Sequence, residues 1–502
     1  MKKIRFFSLL LGSMVILSTQ ITIAQNTTFK LSDYKNPNYL YQSLDLNFDL
    51  NESLNSATNK NPSTNFQSHY SRTLNAGARF SSKANSSKSQ SEFLISFDGG
   101  IHSIGDHTTQ DIFTLESKSN SFNHNENLEI AGLKRFYNEK QNYFEFNGSF
   151  STSYDGSSTK DKSFINNTIY SSTKRNDNTS NNFVSGAFLI GKGRIEQVQD
   201  ARLAMYLLDD LHRLNRDKRS ASDEDVIALA HLITTLHYKR FFDSRFRKIA
   251  EITAIDSFMQ SNKIAGTPDA AYFTSLTDNW NYSNNPVRNN GHRIFAGIEA
   301  DFNYYFNKNN LDDKLANTNI IETTFKQQGG GVFAVVGLNY EKPISLTWQK
   351  SLNFKARFGS TFDLQPRQRL IYYDPTYNSY IQRFPLVNLT ADYGYGYYPN
   401  SRTWLIASWQ LTCGNETIMV GTSRKDKGNS QYYFYANTGP RVQAYYYLSE
   451  KLRLQFTFNG EFNLTNTNFN NIFTLPPLGL IKNGRTIWWN QSLNVALTYS
   501  LF

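Results

Sequence analysis

Residues 452–464 alternate strictly between apolar and polar side chains, and this pattern constrains the fold more than any other feature of the sequence. A period of two places successive side chains on opposite faces of a β-strand. The run has thirteen residues, whereas a strand of a soluble sandwich has about 5–6 and a membrane-crossing barrel strand needs about 9–11. The pattern therefore predicts a membrane-crossing strand whose apolar face carries Leu452, Leu454, Phe456, Phe458, Gly460, Phe462 and Leu464.

About fourteen segments of the chain show the same alternation. We therefore predict an all-β fold, a transmembrane antiparallel β-barrel of about fourteen strands, with 12 to 16 also compatible with the pattern. The segments are 40–51, 69–82, 91–102, 124–137, 141–154, 181–193, 291–307, 331–342, 345–364, 384–398, 402–423, 431–447, 451–464 and 487–501.

The connections between these segments alternate between long and short. Single-chain outer-membrane barrels have short periplasmic turns and long outer loops, and an even strand count returns both termini to the periplasm. The short connections include 138–140, 341–343, 398–402 and 448–451. The long ones, rich in Asn, Ser, Thr and Lys, are 52–68, 103–123, 155–180, 308–330, 365–383 and 465–486.

Residues 1–24 have the three parts of a secretory signal peptide. Basic residues open the chain, an apolar run extends from Phe6 to Leu17, and small residues precede Gln25. The apolar run has twelve residues, too few for a spanning helix, which needs roughly 20. We expect cleavage after Ala24. No cysteine lies near this site, which argues against a lipoprotein anchor. Together with the strands, the leader predicts an integral protein of the bacterial outer membrane.

Composition excludes several other classes of protein. Aromatic residues make up 15% of the chain although its mean hydropathy is −0.53, and no later stretch is apolar enough for a transmembrane helix. Loss of the leader, with Lys2, Lys3 and Arg5, lowers the formal net charge from +10 to +7. This charge is mild and scattered, so nucleic acid is not an expected partner. Cys413 is the only cysteine, which excludes an internal disulfide or a cysteine-based metal site.

The chain ends in Phe502. In this ending the sequence resembles outer-membrane β-barrels, whose last strand commonly closes on an aromatic residue read by the barrel-assembly machinery. The resemblance implies that this machinery is a partner during biogenesis. The match is partial, because Phe502 shares its strand face with polar residues from Asn494 to Ser500, while Leu493 to Leu501 form the apolar face.

Residues 194–263 interrupt the strand pattern with apolar residues spaced three to four apart. Three helices are predicted, around 195–211, 226–236 and 246–258, and the pair Ser222 and Asp225 resembles a helix N-cap. The insert divides the barrel strands into an N-terminal set, 25–193, and a C-terminal set, 264–502. Six strands precede it, so strand parity places it on the periplasmic side or inside the lumen as a plug.

Two segments of the insert, 191–196 and 240–245, resemble those of uncharacterised outer-membrane proteins of the Bacteroidota. No activity follows from this resemblance. The Gly-x-Gly at 191–193 lacks the third glycine and the βαβ context of a dinucleotide site. We interpret these glycines as the turn from strand to helix.

No catalytic, cofactor-binding or metal-binding residue is predicted. The most enzyme-like patch comprises His102, Ser103, Asp106 and His107, but a nucleophile needs a positioned base and the same letters occur in any polar loop. His231 and His237 are six apart rather than the four of a helical zinc pair. No cofactor is expected.

The aromatic and basic residues near the ends of the strands could bind a ligand or could simply contact the membrane interface. They could stack on sugars or bind lipopolysaccharide phosphates, but aromatic girdles at the membrane interfaces explain them equally. Outer-membrane lipid and lipopolysaccharide are the expected contacts. The residues are Tyr372, Tyr373, Tyr377, Tyr380, Tyr393, Tyr395, Tyr397, Tyr398, Trp488, Trp489, Arg424, Lys425 and Lys427.

Three function classes remain open on these grounds. First comes a channel or transporter of unknown substrate, partly occluded by the insert, because about fourteen strands enclose more space than side chains fill. The second is an outer-membrane anchor whose insert docks a periplasmic protein. A barrel-embedded enzyme ranks last. Fold alone does not decide, because function resides in sites.

Overall fold

A computed structural model of the chain describes residues 29–61, 63–110, 115–238, 248–282, 287–313, 321–363, 380–421, 429–449, 452–468 and 484–499. The predicted leader and cleavage site, and the C-terminal pair Leu501 and Phe502, lie outside these residues.

Fourteen long strands form one antiparallel sheet in which each strand pairs with its neighbours in sequence, and a fifteenth, β7, pairs only with β8. This confirms the predicted all-β fold, with about fourteen strands and a helical insert. The strands are β1 Tyr39–Asn61, β2 Ser63–Asn85, β3 Ser89–Gln110, β4 Leu115–Tyr137, β5 Asn142–Ile165, β6 Thr168–Lys192, β7 Ile195–Gln197, β8 Asn289–Asp313, β9 Ile321–Pro343, β10 Trp348–Asp363, β11 Tyr380–Tyr397, β12 Thr403–Gly421, β13 Asn429–Tyr447, β14 Leu452–Asn468 and β15 Gly484–Tyr499.

The first four long loops predicted from sequence, 52–68, 103–123, 155–180 and 308–330, are wrong, because most of their residues belong to strands. β1 to β6 have 22 to 25 residues each, and pairing continues to Asn61 with Ser63, to Gln110 with Leu115 and to Ile165 with Thr168. Backbone pairing needs no alternation of hydropathy, so polar runs of Asn, Ser and Thr continue the ladder. A strand of 24 residues spans roughly 80 Å, far more than a tilted crossing of a bilayer core of about 30 Å requires.

The sheet has an apolar outer face and a polar inner face. On β14, Leu454 and Phe462 lie on the outer face and are exposed to the surroundings. Arg453, Gln455 and Thr457 occupy the intervening inner positions, and Thr457 lies between Gln443 of β13 and Asn494 of β15. Exposed apolar side chains continue around the outer face, among them Leu46, Phe97, Phe146, Ile190, Ile298, Val332, Phe358, Trp409 and Leu497.

Four helices connect β7 to β8: α1 Gln199–Arg213, α2 Asp223–Tyr238, α3 Lys248–Ser261 and α4 Ala270–Asn281. The first three match the predicted helices. The fourth, which was not predicted, lies at the start of 264–502, the range assigned from sequence to the C-terminal set of strands. Its N-cap is Asp269, whose carboxylate accepts a hydrogen bond from the Tyr272 backbone N–H. In the described residues, no helix combines the length and apolar character needed to cross a membrane.

The helices share one hydrophobic core, to which the N-terminal segment also contributes. Phe29, Leu31 and Tyr34, around a 3-10 turn at Leu31–Asp33, pack with the helices. The helical members of the core include Leu203, Leu207, Leu211, Leu229, Ile233, Ile255, Met259, Tyr272 and Leu276. The four helices and this segment therefore form one compact unit, called the insert below.

The insert contacts strands in both halves of the strand order, β1 and β13. The Tyr238 ring at the end of α2 stacks on Tyr39 of β1 with 4.2 Å between centroids, and Tyr282 after α4 lies 5.2 Å from Tyr447 of β13. In a flat sheet β1 and β13 would be roughly 50 Å apart, but the longest helix, of 16 residues, spans only about 24 Å. The sheet therefore curves so that β1 and β13 approach each other. Within the described residues β1 and β15 are not paired with one another.

Candidate functional site

Two glycines allow the chain to leave the sheet and to return to it. Gly193, after β6, has a φ of 98°, and Gly291, in β8, has a φ of 121°. A Cβ on Gly193 would lie 2.2 Å from the His292 carbonyl oxygen, and one on Gly291 would lie 2.0 Å from that of Arg194. Only glycine fits this close approach. This agrees with the interpretation of 191–193 as a strand-to-helix turn.

Arg288 connects the end of the insert to the β9–β10 turn. Its Nη2 donates to the carbonyl oxygens of Ser345 and Trp348 at 3.0 and 2.9 Å, its Nη1 donates to that of Leu346, and its Nε donates to Gln349 Oε1 at 2.9 Å. Burial, followed by the nearby charge of Arg202, lowers the pKa of Arg288 to about 10. The guanidinium thus remains charged near neutral pH and orders the turn beside the insert.

Other contacts join the insert to turns in both halves of the strand order. The Tyr206 hydroxyl of α1 donates to the Tyr398 carbonyl oxygen at 2.7 Å, next to the β11–β12 turn. Arg402, in that turn, donates to Asp278 of α4 at 2.5 Å. On the opposite side, Arg194 donates to the Ser86 carbonyl oxygen in the β2–β3 turn at 2.8 Å. The insert therefore lies across the short-turn end of the curled sheet.

A buried polar chain runs through the insert. The Thr234 hydroxyl donates to Asp200 Oδ2 at 2.6 Å, and the His237 Nδ1 lies 3.1 Å from Asp200 Oδ1. His237 stacks on Trp280, whose indole N–H donates to Glu251 at 2.9 Å. This arrangement satisfies two buried carboxylates, as burial requires, and it links α1, α2, α3 and α4. Its observed role is to connect the helices.

A small cavity lies between β7 and the inner face of the sheet, above the insert. Its volume is about 180 Å³. Ion pairs line it or lie beside it: Arg194 Nε lies 2.5 Å from Glu196, Arg135 contacts Glu145, and the Lys83 amine lies 3.9 Å from Glu92. The lining residues are Tyr39, Lys83, Ala84, Asn85, Gln90, Ser91, Glu92, Arg135, Ile195, Glu196, Gln197, Asn289 and Arg293.

A second charged cluster occupies the inner face farther from the insert. Arg357 of β10 lies 2.9 Å from Glu299 and 3.2 Å from Asp301, both of β8. Lys355 also contacts Glu299, and the Arg357 guanidinium lies 4.1 Å from the centre of the Phe333 ring. The cluster places charges of both signs on the polar face of β8 and β10.

Sequence reasoning missed both charged groups, because it treated inner positions only as polar. Arg135 of β4 and Glu145 of β5 are directly opposite each other. Glu299 of β8 and Arg357 of β10 are on strands separated by β9, and their side chains meet across it. A charge at an inner position of an alternating strand was the available signal. Its partner depends on strand register, which a single segment does not reveal.

The residues of the enzyme-like patch do not form one site. His102 and Asp106 lie on one face of β3, and Ser103 and His107 occupy alternate positions on the other. His102 Nδ1 is 2.6 Å from the Thr73 hydroxyl, and Asp106 is 2.7 Å from His69. The His107 Nε2 is 2.8 Å from Glu116. This geometry offers Ser103 no base from the patch.

The predicted aromatic sites are only partly within the described structure. Tyr393 and Tyr395 lie on the outer face of β11 and share a hydrogen bond of 2.9 Å between their hydroxyls. Trp488 and Trp489 are exposed on β15. Tyr397 packs on Trp348, while Tyr398 is buried beside Arg288. Residues Tyr372, Tyr373, Tyr377, Arg424, Lys425 and Lys427 lie outside the described ranges, and the side chain of Tyr380 is likewise not described.

Over the ranges that the structure covers, no group of three or more His, Cys, Asp or Glu side chains is placed to hold a metal ion. His231 and His237 are separated on α2. The His231 Nε2 lies 3.4 Å from the Lys35 carbonyl oxygen, while His237 contacts Asp200.

Comparison with known proteins finds likeness in structure alone. No protein-family model matches the sequence, and no curated protein matches it. The translocator domain of autotransporter NalP from Neisseria meningitidis is 8% identical, with 83% of this chain and 91% of that chain covered and a TM-score of 0.22. The transport unit of the autotransporter AIDA-I from Escherichia coli is 10% identical, with the same coverage and a TM-score of 0.25.

A further solved structure, the RagAB peptide importer in the 'open-open' state, is 10% identical with a TM-score of 0.24, covering 88% of this chain and 52% of that chain. Likeness at these identities and TM-scores assigns no function to this chain.

Proposed function

We propose that the protein is an outer-membrane β-barrel that forms a channel for small polar solutes, with the insert covering its periplasmic opening. The observation that carries this proposal is the set of contacts that the insert makes with turns in both halves of the strand order, through Arg194, Arg288, Tyr206 and Asp278. A unit that only hung from one strand would need no such contacts.

The two faces of the sheet support a water-filled interior. The outer face exposes apolar side chains that would contact lipid, and the inner face carries ion pairs such as Arg357 with Asp301. Around eight strands is the size at which side chains just fill a barrel. Fourteen strands would therefore leave a lumen, which the insert narrows at one end.

The periplasmic position of the insert in this proposal follows from the strand topology and from the predicted leader. β1 begins and β15 ends at the short-turn end, where the insert lies. Outer-membrane barrels have their short turns in the periplasm, and residues 1–24 would direct export. In this arrangement the long hairpins of β1 to β6 would project outward near lipopolysaccharide, and the barrel-assembly machinery would insert the chain.

Single-channel recording on the purified full-length protein tests the covering role of the insert. The double variant Tyr206→Phe/Arg402→Ala removes one buried hydrogen bond and one partly exposed ion pair, together about 1–2 kcal/mol. We expect roughly tenfold more time in a high-conductance state. Arg213→Ala is the matched control, because the ion pairs of Arg213 in the described part of the chain are with Asp209 and Asp210, both of α1. Equal conductance in the wild-type protein, the double variant and Arg213→Ala would contradict the proposal. If the double variant instead lost a cross-linked periplasmic protein while its conductance stayed the same, the insert would be a docking module rather than a cover.

Accessibility of Asn215 tests the sidedness separately. Asn215 is exposed after α1, and a cysteine there, with Cys413 replaced by serine, should resist an impermeant thiol reagent on intact cells. It should react after the outer membrane is permeabilised. Labelling on intact cells would place the insert outside.

A further inference from the structure

The cations at or beside the small cavity next to β7 outnumber the carboxylates there. Three cations at or beside it have carboxylate partners: Lys83 with Glu92, Arg135 with Glu145, and Arg194 with Glu196. The fourth cation, Arg293 of β8, has none within 4.0 Å among the residues that the structure describes. Glu145, the partner of Arg135, also acts electrostatically on Arg293, so three carboxylates face four cations and one positive charge is left in excess.

Arg293 is also poorly satisfied in hydrogen bonds. Its Nη2 donates to Asn339 Oδ1 at 3.3 Å, while its Nε is buried and has no hydrogen-bond partner in the described structure. A guanidinium carries five N–H donors, and leaving a buried charged group partly unsatisfied costs several kcal/mol unless a ligand or counterion completes it. The cavity that Arg293 lines provides space for such a group.

The size of the cavity limits what can enter it. A cavity of about 150 Å³ holds a molecule of the size of benzene, and the volume here is about 180 Å³. A molecule of about six to eight non-hydrogen atoms fits. Charge adds a second limit, because one unmatched guanidinium pairs with one negative charge. A dianion would place excess negative charge beside Glu92 and Glu196.

We propose that this cavity is a binding site for a small organic monocarboxylate, held by a charge-assisted hydrogen bond from Arg293. Guanidinium and carboxylate match each other as a bidentate pair. Polar side chains of the wall, such as Asn289 and Gln90, surround the remainder of the ligand. The site deepens the proposed function by naming a solute class for the channel, and it rests on that proposal only in its position inside the lumen.

Calorimetry on the purified full-length protein in detergent tests this site directly. Sodium lactate and sodium acetate are the probes, with inorganic phosphate at equal ionic strength for comparison. We expect lactate and acetate to bind and phosphate to bind at least tenfold more weakly. Arg293→Gln should weaken lactate binding at least tenfold, whereas Arg293→Lys should retain part of it.

Arg441→Gln provides the matched control. Arg441 occupies an inner-face position of β13, opposite Ser408 and Asn459, outside the cavity. Its replacement should leave lactate binding unchanged. Absence of lactate binding in the wild-type protein, equal binding in Arg293→Gln, or equal loss in both variants would overturn the inference. Heat-modifiable migration of each variant verifies that the barrel is folded.

The measurement separates this inference from the proposed channel. Lactate binding by a protein that forms no pore would support the site and overturn the channel. A protein that conducts but does not bind lactate would support the channel and overturn the site.

Discussion

The hydroxyl of Tyr34 lies 3.3 Å from that of Thr234, 200 residues farther along the chain. Tyr34 is almost fully buried, and burial raises the pKa of its phenol well above its ordinary value. Asn36 donates to the Gln197 carbonyl oxygen at 2.8 Å, and Asn290 donates to that of Ser32 at 2.7 Å. The segment before β1 thus ties the insert to the start of the sheet.

Tyr34→Ala should therefore loosen the insert without unfolding the sheet. Removal of a buried aromatic side chain costs about 3–5 kcal/mol, and the loss falls on the core shared by Leu31 and the helices. We expect faster hydrogen exchange in α1 and α2 and unchanged exchange in β9 and β10. Tyr170→Ala is the control, because Tyr170 is exposed near the start of β6. Equal exchange in both variants would show that the segment does not stabilise the insert.

The facing of β14 predicts opposite outcomes for two neighbouring substitutions. Phe456 lies between Ala444 and Val495 on the outer face, and Thr457 lies between Gln443 and Asn494 on the inner face. Phe456→Arg should cost about 2–4 kcal/mol at mid-membrane and lower the yield of heat-modifiable barrel. Thr457→Arg should fold normally. Similar yields from the two variants would refute the assigned faces.

If the sheet closes into a barrel, cysteines introduced on its two end strands, β1 and β15, should form a disulfide. Leu46 of β1 and Leu493, Val495 and Leu497 of β15 are exposed outer-face residues, and a closed barrel would bring one of these pairs together. After Cys413→Ser, a cysteine at Leu46 combined in turn with one at each β15 position should form a disulfide in at least one case. A cysteine at Leu46 paired with one at Ile298 should not. Failure of all three β15 pairs would indicate an open sheet.

The C-terminal ending makes a separate prediction. Deletion of Leu501 and Phe502 should reduce assembly, because an unclosed barrel leaves an unpaired strand edge. The fraction of heat-modifiable protein in isolated membranes measures the effect. Normal assembly of the shortened chain would show that these two residues carry no signal.

The cap of α2 predicts a pH dependence. Arg219, through its hydrogen bonds, lowers the pKa of the Asp225 carboxyl below its ordinary value of 3.8. Because the folded-state pKa is the lower one, the stabilisation is present above pH 3.8 and is lost as the pH falls through the folded value. Asp225→Asn should cost about 1 kcal/mol at pH 7, seen as faster exchange in α2, and progressively less as the pH falls below 3.8. An effect that does not change with pH would exclude the charge as the cause.

Local features were readable from the sequence where short-range chemistry determines them. Ser222 and Asp225 cap α2 as predicted: the Ser222 N–H donates to Asp225 Oδ2 at 2.8 Å, and the Asp225 N–H donates to the Ser222 hydroxyl at 3.3 Å. The fourth helix was missed because its aromatic, Thr and Asn residues favour no helix, although Asp269 after a proline is a possible cap.

The sequence by itself indicated an antiparallel sheet of about fourteen strands, with 12 to 16 compatible, and it assigned side chains to the two faces of each strand, because side-chain direction in a strand follows from position parity alone. It also determined that a helical unit interrupts them. Only the tertiary structure decided that polar runs such as 155–165 continue the ladder, and that Arg402 meets Asp278 across 124 residues. It also decided that Arg293 has no carboxylate within 4.0 Å among the residues that the structure describes. These contacts join positions that are distant in sequence, so they depend on strand register and on the curl of the sheet, which no local pattern encodes.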